Sequence, residues 1–375
     1  MGMIHYFQFG DVNTANFNVW VSGTGVYDSP ERDVEYVSID GRNGDLVQDN
    51  GRFHNIEVTY PCFIARTFLD NFDDFRSAMH LQRGYKRLWD SYHPLEYREA
   101  VLSAPIQPKT GVLNRSGNFD ITFNCKPQRF LIEGSEYVTV YPVNLGAIDA
   151  SGADEADEFT YRIEYFPVTP NSALKATAEY VDITHHSYPL TVAFYTSSKT
   201  FISAVSAQSA LTQSINTTVP SNAAYARLMF GSFLSPSRYL TLENNGVTTT
   251  YADGGSIFIN PTGYTSQPII KAYNATSFSV KRLGASFTEA ADITTVTVSD
   301  YSETGRTDCV VDSVIGDAYS DEINGMSAAI VNLNPYITIT EDGQISDYPT
   351  FGAGGNIITG AGFTSCAVKC GWWLV

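Results

Sequence analysis

A chain of 375 residues, 43% hydrophobic and only 17% charged, is long enough for two or three domains with their own cores, and its 23 Tyr and 22 Phe suit ordered β structure rather than a disordered chain. Lys and Arg total 23 against 40 Asp and Glu, a net charge of −17, so a phosphate-binding surface spread over the molecule would oppose the protein's own field; this excludes nucleic-acid binding as a main function. The acidity is concentrated late in the chain: residues 241–375 hold 5 basic and 14 acidic groups, against 13 and 18 in residues 1–140 and 5 and 8 in residues 141–240.

The opening residues carry neither the basic nor the apolar region of a secretory signal, and no run approaches 18 apolar residues, so export by that route and membrane insertion are not expected. The first sixty residues read as a meander. Residues 33–40 alternate, and Asn43-Gly44 predicts a two-residue type I′ hairpin because both central positions of that turn need positive φ. A second turn at Asp49-Asn50-Gly51 leads into a strand over residues 55–60. One helix is predicted from near Asp70: Phe68, Phe72, Phe75 and Met79 recur at the 3–4 spacing of an apolar stripe, Asp70, Asp73 and Asp74 crowd its first turn, and Gly84 lies near its end. Strands follow at residues 97–102 and 119–125, the second ended by Pro127, which has no N–H to donate.

Residues 148–158 are small and acidic and read as a solvated connector, with a calcium loop as the sharper alternative. Strand-like runs at 160–166, 175–182, 190–195, 201–205 and 224–230 then predict a β-sandwich, and runs at 256–260, 268–272, 293–298, 308–312 and 336–340 a second all-β domain. The closing Trp372-Trp373-Leu374-Val375 is read as a final strand tucked into that sandwich, since loose it would be an aggregation hazard. Five cysteines, Cys62, Cys125, Cys309, Cys366 and Cys370, match neither a zinc ribbon nor a disulfide scaffold and read as reduced, buried thiols.

Several stretches in order resemble the distal tail protein of long-tailed (siphovirus-like) phages of Gram-positive bacteria. They are Gly41-Arg42-Asn43-Gly44-Asp45-Leu46, Tyr85-Lys86-Arg87-Leu88-Trp89-Asp90, Tyr97-Arg98-Glu99-Ala100, the run from Phe119 to Phe130, the run from Asn260 to Lys271, the run from Pro349 to Ile358, and Trp372-Trp373-Leu374. The resemblance implies a mainly β chain in three parts: an N-terminal β-sandwich with one α-helix that builds a hexameric ring (residues 1–137), an inserted module (138–242), and a C-terminal galectin-like β-sandwich (243–375). The insert, in Phe166-Pro167-Val168-Thr169-Pro170 and in the runs from Phe194 to Ser203 and from Val219 to Arg227, is similar to jelly-roll carbohydrate-binding modules. The implied function is geometric: a ring at the tail tip, assembled in the host cytoplasm, that joins the tail tube protein to baseplate or receptor-binding proteins and passes DNA only as cargo. The insert would bind host cell-wall saccharide.

A saccharide site needs an exposed aromatic face and planar polar groups. The insert has no Trp, the four being Trp20, Trp89, Trp372 and Trp373, so tyrosines are the available platforms, with Tyr225 and Phe230 expected to be structural. The candidates are Tyr180 and the polar loop bearing His185, His186 and Tyr188, joined by Arg238 if the two loops share an end; an ordinary exposed loop fits the same residues. His185 and His186, adjacent and without a third ligand, do not make a metal site. No Gly-x-Ser-x-Gly elbow, His-Glu-x-x-His helix or phosphate-binding Gly-Lys loop is present, so neither catalytic residues nor a cofactor are expected. The rival reading is a stand-alone carbohydrate-binding or adhesive β-protein.

Overall fold

The computed structural model describes residues 4–23, 27–179, 188–208, 212–232, 239–284, 292–323 and 325–375. These form two compact units, one of residues 1–133 with 373–375 and one of residues 134–372. Among the described residues all sheets are antiparallel and there is one α-helix, so the expectation of a mainly β chain holds.

The first unit contains β1 (Phe7–Phe9), β2 (Val12–Asn13), β3 (Trp20–Val21), β4 (Arg32–Val37), β5 (Leu46–Phe53), β6 (Ile56–Ile64), α1 (Phe68–Leu81), β7 (Lys86–Asp90), β8 (Glu96–Leu102), β9 (Lys109–Thr110) and β10 (Gly117–Leu131). Its main sheet runs β2-β1-β7-β8-β10-β6-β3. Period-two alternation fixes the inner face: Ile56, Val58, Tyr60, Cys62 and Ile64 of β6 are buried, as are Phe119, Ile121, Phe123 and Cys125 of β10. The helix lies where its apolar stripe predicts. Phe68, Phe72, Phe75 and Met79 are buried, and the rings of Phe72 and Phe75 meet Phe119 at 5.1 and 6.0 Å. Each such ring contributes on the order of 1.5–3 kcal/mol by leaving water.

Two local expectations are corrected. Pro127 does not end β10, which continues to Leu131 through a register shift between Cys125 and Arg129, so the ring falls where the regular ladder is already broken. β10 pairs with β6 only as far as Cys125; its remaining edge is taken by the C-terminal strand Trp373–Leu374, with Phe130 opposite Trp373 and Arg129 opposite Leu374. The tail therefore completes the first unit's sheet and is not tucked into a C-terminal sandwich. Arg129 fixes it by donating from Nη2 to the Val375 carbonyl at 3.0 Å and from Nη1 to Glu96 at 3.0 Å. Ending the chain at Trp372 should destabilise the first unit by about 1–3 kcal/mol, the worth of the lost ladder bonds and of the Arg129 bond to Val375. Amide exchange at residues 129–131 checks this; unchanged protection there would contradict it.

Among the described residues β4 and β5 pair only with each other. Their connection is not the two-residue turn expected from Asn43-Gly44. The last pair is Val37 with Leu46, and the loop of residues 38–45 turns where the Arg42 amide donates to the Ile39 carbonyl at 3.1 Å, with Gly41 at φ 78°. Positive φ at the third position makes this a type II turn, which glycine alone adopts without strain.

The second unit holds β11 (Val138–Val140), β12 (Val143–Leu145), β13 (Ala147–Ile148), β14 (Asp154–Glu155), β15 (Thr160–Pro167), β16 (Ala173–Glu179), β17 (Leu190–Tyr195), β18 (Phe201–Ala207), β19 (Thr212–Thr218) and β20 (Tyr225–Gly231), followed by the strands after residue 239. A five-stranded sheet runs β12-β15-β20-β17-β18. A ten-stranded sheet begins β19-β16 and continues through Leu240–Asn244, Val247–Ala252 and Gly255–Asn260 into the later strands. A six-stranded sheet joins β11 to Ser365–Lys369, Ile269–Tyr273, Asp308–Asp312, Asp317–Ile323 and Met326–Asn332. All five cysteines are buried and unbridged, and burial pushes the Cys125 and Cys309 thiols up to about 12.

Candidate functional site

One face of the five-stranded sheet is apolar along its central strands, carrying Ile163, Phe166, Val192, Phe194, Ala226, Leu228 and Phe230, each at most 1% exposed. Its other face carries charge. Register sets Ala193 beside Arg227, Thr191 beside Met229 and Tyr195 beside Tyr225, and the shift between Ile163 and Phe166 brings both Glu164 and Tyr165 to Arg227. Arg227 Nη2 lies 3.0 Å from Glu164 Oε2, and its guanidinium stands 4.8 Å over the Tyr165 ring, while Lys199 Nζ lies 4.5 Å from the same ring centre.

A strap covers this face. β13 and β14 form a hairpin whose turn is tied by Asp149, its carboxylate accepting from the Ser151 hydroxyl at 2.7 Å and from the amides of Ser151 and Ala153 at 2.8 Å each; those bonds hold its carboxyl below the usual range. Ala147 and Ile148 pack on Ala193, Tyr195 and Met229, and the Tyr195 hydroxyl donates to the Gly152 carbonyl at 2.7 Å. Asp154 closes the strap, 2.7 Å from Arg227 Nη2 and 3.0 Å from Arg162 Nη2. Burial alone would depress the Arg227 pKa, but Glu164 and Asp154 more than offset it and the guanidinium is held charged. The acidic stretch read as a solvated connector is therefore folded against the sheet, where Asp154 adds a second carboxylate to Arg162 and Arg227, which Glu164 already pairs. Among the described residues no group of three His, Cys, Asp or Glu side chains could hold a metal ion.

With the face covered, the open ground lies at the sheet's end, in a depression of about 580 Å³ lined by Leu145, Ala156, Asp157, Glu158 and Phe159. Phe159 is 51% exposed. The Tyr188 ring stacks on it at 6.1 Å and 18°, and the Tyr188 carbonyl accepts from Gln213 Nε2 at 3.2 Å while Gln213 Oε1 accepts from the Leu190 amide at 2.6 Å. Phe159 is held in turn by its amide, which donates to Asp157 Oδ1 at 2.7 Å. The pair offers an apolar aromatic face bordered by carboxylates, the chemistry that packs against sugar C–H groups and accepts from hydroxyls. Of the five residues singled out from the sequence, Tyr188 is placed here; Tyr180, His185, His186 and Arg238 lie outside the described residues. Phe159 escaped the sequence reading, although an aromatic directly after an acidic run and outside the alternation of β15 was the available signal.

No protein-family model matches the sequence, and no curated protein matches it at a significant level. Among solved structures, the SPP1 Dit (gp 19.1) protein, described as a paradigm of the hub adsorption apparatus in phages infecting Gram-positive bacteria, is 9% identical, with 98% of each chain covered and a TM-score of 0.45. The phage P2 baseplate in its activated conformation with Ca is 11% identical over 96% of this chain and 100% of that one, with a TM-score of 0.26; with Sr it is 11% identical over 97% and 100%, with a TM-score of 0.28. Likeness at these levels carries no functional inference.

Proposed function

We propose that the protein is a structural hub component of a phage tail tip, six copies closing into a ring between the tail tube and the baseplate or receptor-binding proteins, with residues 138–242 as a jelly-roll module that binds host-envelope saccharide and residues 243–375 as a galectin-like sandwich. The role is architectural, in the virion, with DNA as passing cargo. The ordered motifs at both ends of the chain support it. The observation that carries it is the β4–β5 ribbon: an isolated two-stranded hairpin is marginal in water, yet this one exposes Tyr36 (68%), Val37 (44%), Ile39 (39%), Leu46 (49%) and Val47 (56%) and, among the described residues, pairs with no other strand. Such a ribbon is stabilised by covering it, and repeated identical contacts of that kind build closed rings.

Light scattering of the full-length protein at two concentrations and two salt strengths tests the ring. The expected species has six times the 41.2 kDa chain mass; a persistent monomer overturns it. For the module, Phe159→Ala combined with Tyr188→Ala should weaken binding on an array of Gram-positive cell-wall polysaccharides about tenfold or more, equivalent to about 1.4 kcal/mol, at unchanged thermal stability because Phe159 is half-exposed. Equal binding by variant and parent would remove the saccharide reading from this pocket.

A further inference from the structure

We infer that the second unit carries a further binding site, a small cavity between β11, the end of β15 and the hairpin of strands Leu240–Asn244 and Val247–Ala252, and that it takes one uncharged sugar ring. It shares no residue with the Phe159–Tyr188 depression and does not depend on the six-copy assembly. The hairpin is set by Asn245-Gly246. Asn244 pairs with Val247, so these two residues are the whole loop, and both take positive φ, 53° and 77°, as a type I′ turn requires. Alternation then puts Leu242 and Asn244 on one face of the hairpin with their partners Thr249 and Val247. Tyr137, Thr139 and Tyr141 alternate in the same way along β11, and the Tyr141 ring meets Phe166 at 5.9 Å and 40°. Together these surfaces enclose about 230 Å³. That is below the roughly 300–1,000 Å³ of sites for drug-sized ligands and suits a single ring rather than a chain.

Asn244 marks the cavity as a place for a hydroxyl. Its Nδ2 donates to the Pro167 carbonyl at 3.0 Å, and because a carbonyl only accepts, this bond fixes the orientation of the amide. Oδ1 is then buried, and no donor among the described residues reaches it. A buried acceptor left without a donor is costly, and a ligand hydroxyl removes that cost. The remaining lining has the same character. Tyr137, half-exposed at the rim, offers a flat aromatic face, Asn245 a second carboxamide, and Thr139 and Tyr141 hydroxyls. Such a set packs against C–H groups and exchanges hydrogen bonds with hydroxyls. No described residue lining the cavity is charged, so a phosphate or carboxylate would find no counter-ion. Burial raises the Tyr137 pKa, with Asp321 and Asp312 adding to it against Lys271, and that ammonium is already held by three carboxylates, so the rim disfavours anions too. Burial pushes the Tyr141 hydroxyl up to about 12, which keeps the lining neutral.

The test uses the full-length protein and three neutral probes, glucose, galactose and N-acetylglucosamine. Each is titrated to about 10 mM and followed by saturation-transfer NMR, because a single small ring makes few contacts and binds in the millimolar range. At least one probe should bind, with the same affinity at about 0.05 and 0.5 M salt, since no charge lines the cavity. Val247→Trp fills the mouth from a half-exposed position, and Asn244→Ala removes the unpartnered acceptor. Each should weaken binding about tenfold or more, with circular dichroism verifying that both variants fold. Phe159→Ala combined with Tyr188→Ala should leave it unchanged. Binding that survives either substitution in the cavity, that is lost in the Phe159 and Tyr188 variant, or that weakens with salt overturns the assignment. Failure of all three probes to bind the parent chain overturns it as well.

Discussion

Replacing Lys271 with methionine is expected to destabilise the second unit by about 2–4 kcal/mol, the cost of leaving the buried Asp308 and the partly exposed Asp321 and Glu322 without their shared cation. Lys271 lies on the strand Ile269–Tyr273 with Nζ 2.5 Å from Asp321 Oδ1, 2.6 Å from Glu322 Oε1 and 3.8 Å from Asp308 Oδ2. Asp308 is 1% exposed and keeps only the Ser320 hydroxyl at 2.6 Å and the Asp321 amide at 3.1 Å once the ammonium is gone. Burial alone would lower the Lys271 pKa, but the bonds its ammonium donates to Asp321 and Glu322 outweigh it and the group titrates above its ordinary 10.5. A folded-state pKa raised above the unfolded one contributes stability that is fully present below the unfolded value and is lost as pH rises through the folded value, so the parent should weaken in strong alkali. Urea unfolding across pH measures both. A deficit independent of pH would show that lost packing, not charge, is responsible; adding Asp308→Asn should recover part of the deficit if charge is.

The sequence revealed what depends on periodicity. Phe68, Phe72, Phe75 and Met79 announce α1 because an amphipathic stripe is a local property, and Asp308–Asp312 and Leu190–Tyr195 were bounded correctly because continuous apolar runs between turn residues have few alternatives. What failed was non-local. Pro127 looked like a stop because its tolerance depends on a register shift made jointly with β8, and Trp373 and Leu374 gave no sign that their partners were Phe130 and Arg129, far earlier in the chain. Asn43-Gly44 does not form the two-residue turn, although Gly44 takes positive φ as Gly41 does, because Asn43 does not and the loop of residues 38–45, whose length no dipeptide encodes, is too long for a type I′ hairpin. The same holds at the candidate site. Tyr188 was legible as an aromatic in a polar loop, but its platform partner Phe159 and the strap that closes the neighbouring face depend on arginines from β15 and β20 meeting Asp154.

That strap gives the second large effect. Arg227→Met is expected to cost about 2–4 kcal/mol and to raise amide exchange in residues 147–155 at least tenfold, whereas Asp154→Asn should cost less than about 1 kcal/mol because Asp154 is 58% exposed and water replaces its partner. The asymmetry follows from burial. Arg227 is 2% exposed, and its loss leaves Glu164 on a covered face with Arg162 (3.2 Å) as its remaining cation, while loss of the Asp154 charge leaves Arg227 paired with Glu164. Lysine should not restore the parent: a single ammonium cannot reproduce the planar stacking on Tyr165 while spanning to both Asp154 and Glu164. If Arg227→Met left exchange in the strap unchanged, the hairpin would be held by Ala147, Ile148 and the Tyr195 bond to Gly152 alone, and the ion pairs would be tolerated on this face without fastening it. An increase confined to residues 147–155, with the rest of the second unit still protected, would identify Arg227 as the fastener that keeps the charged face closed.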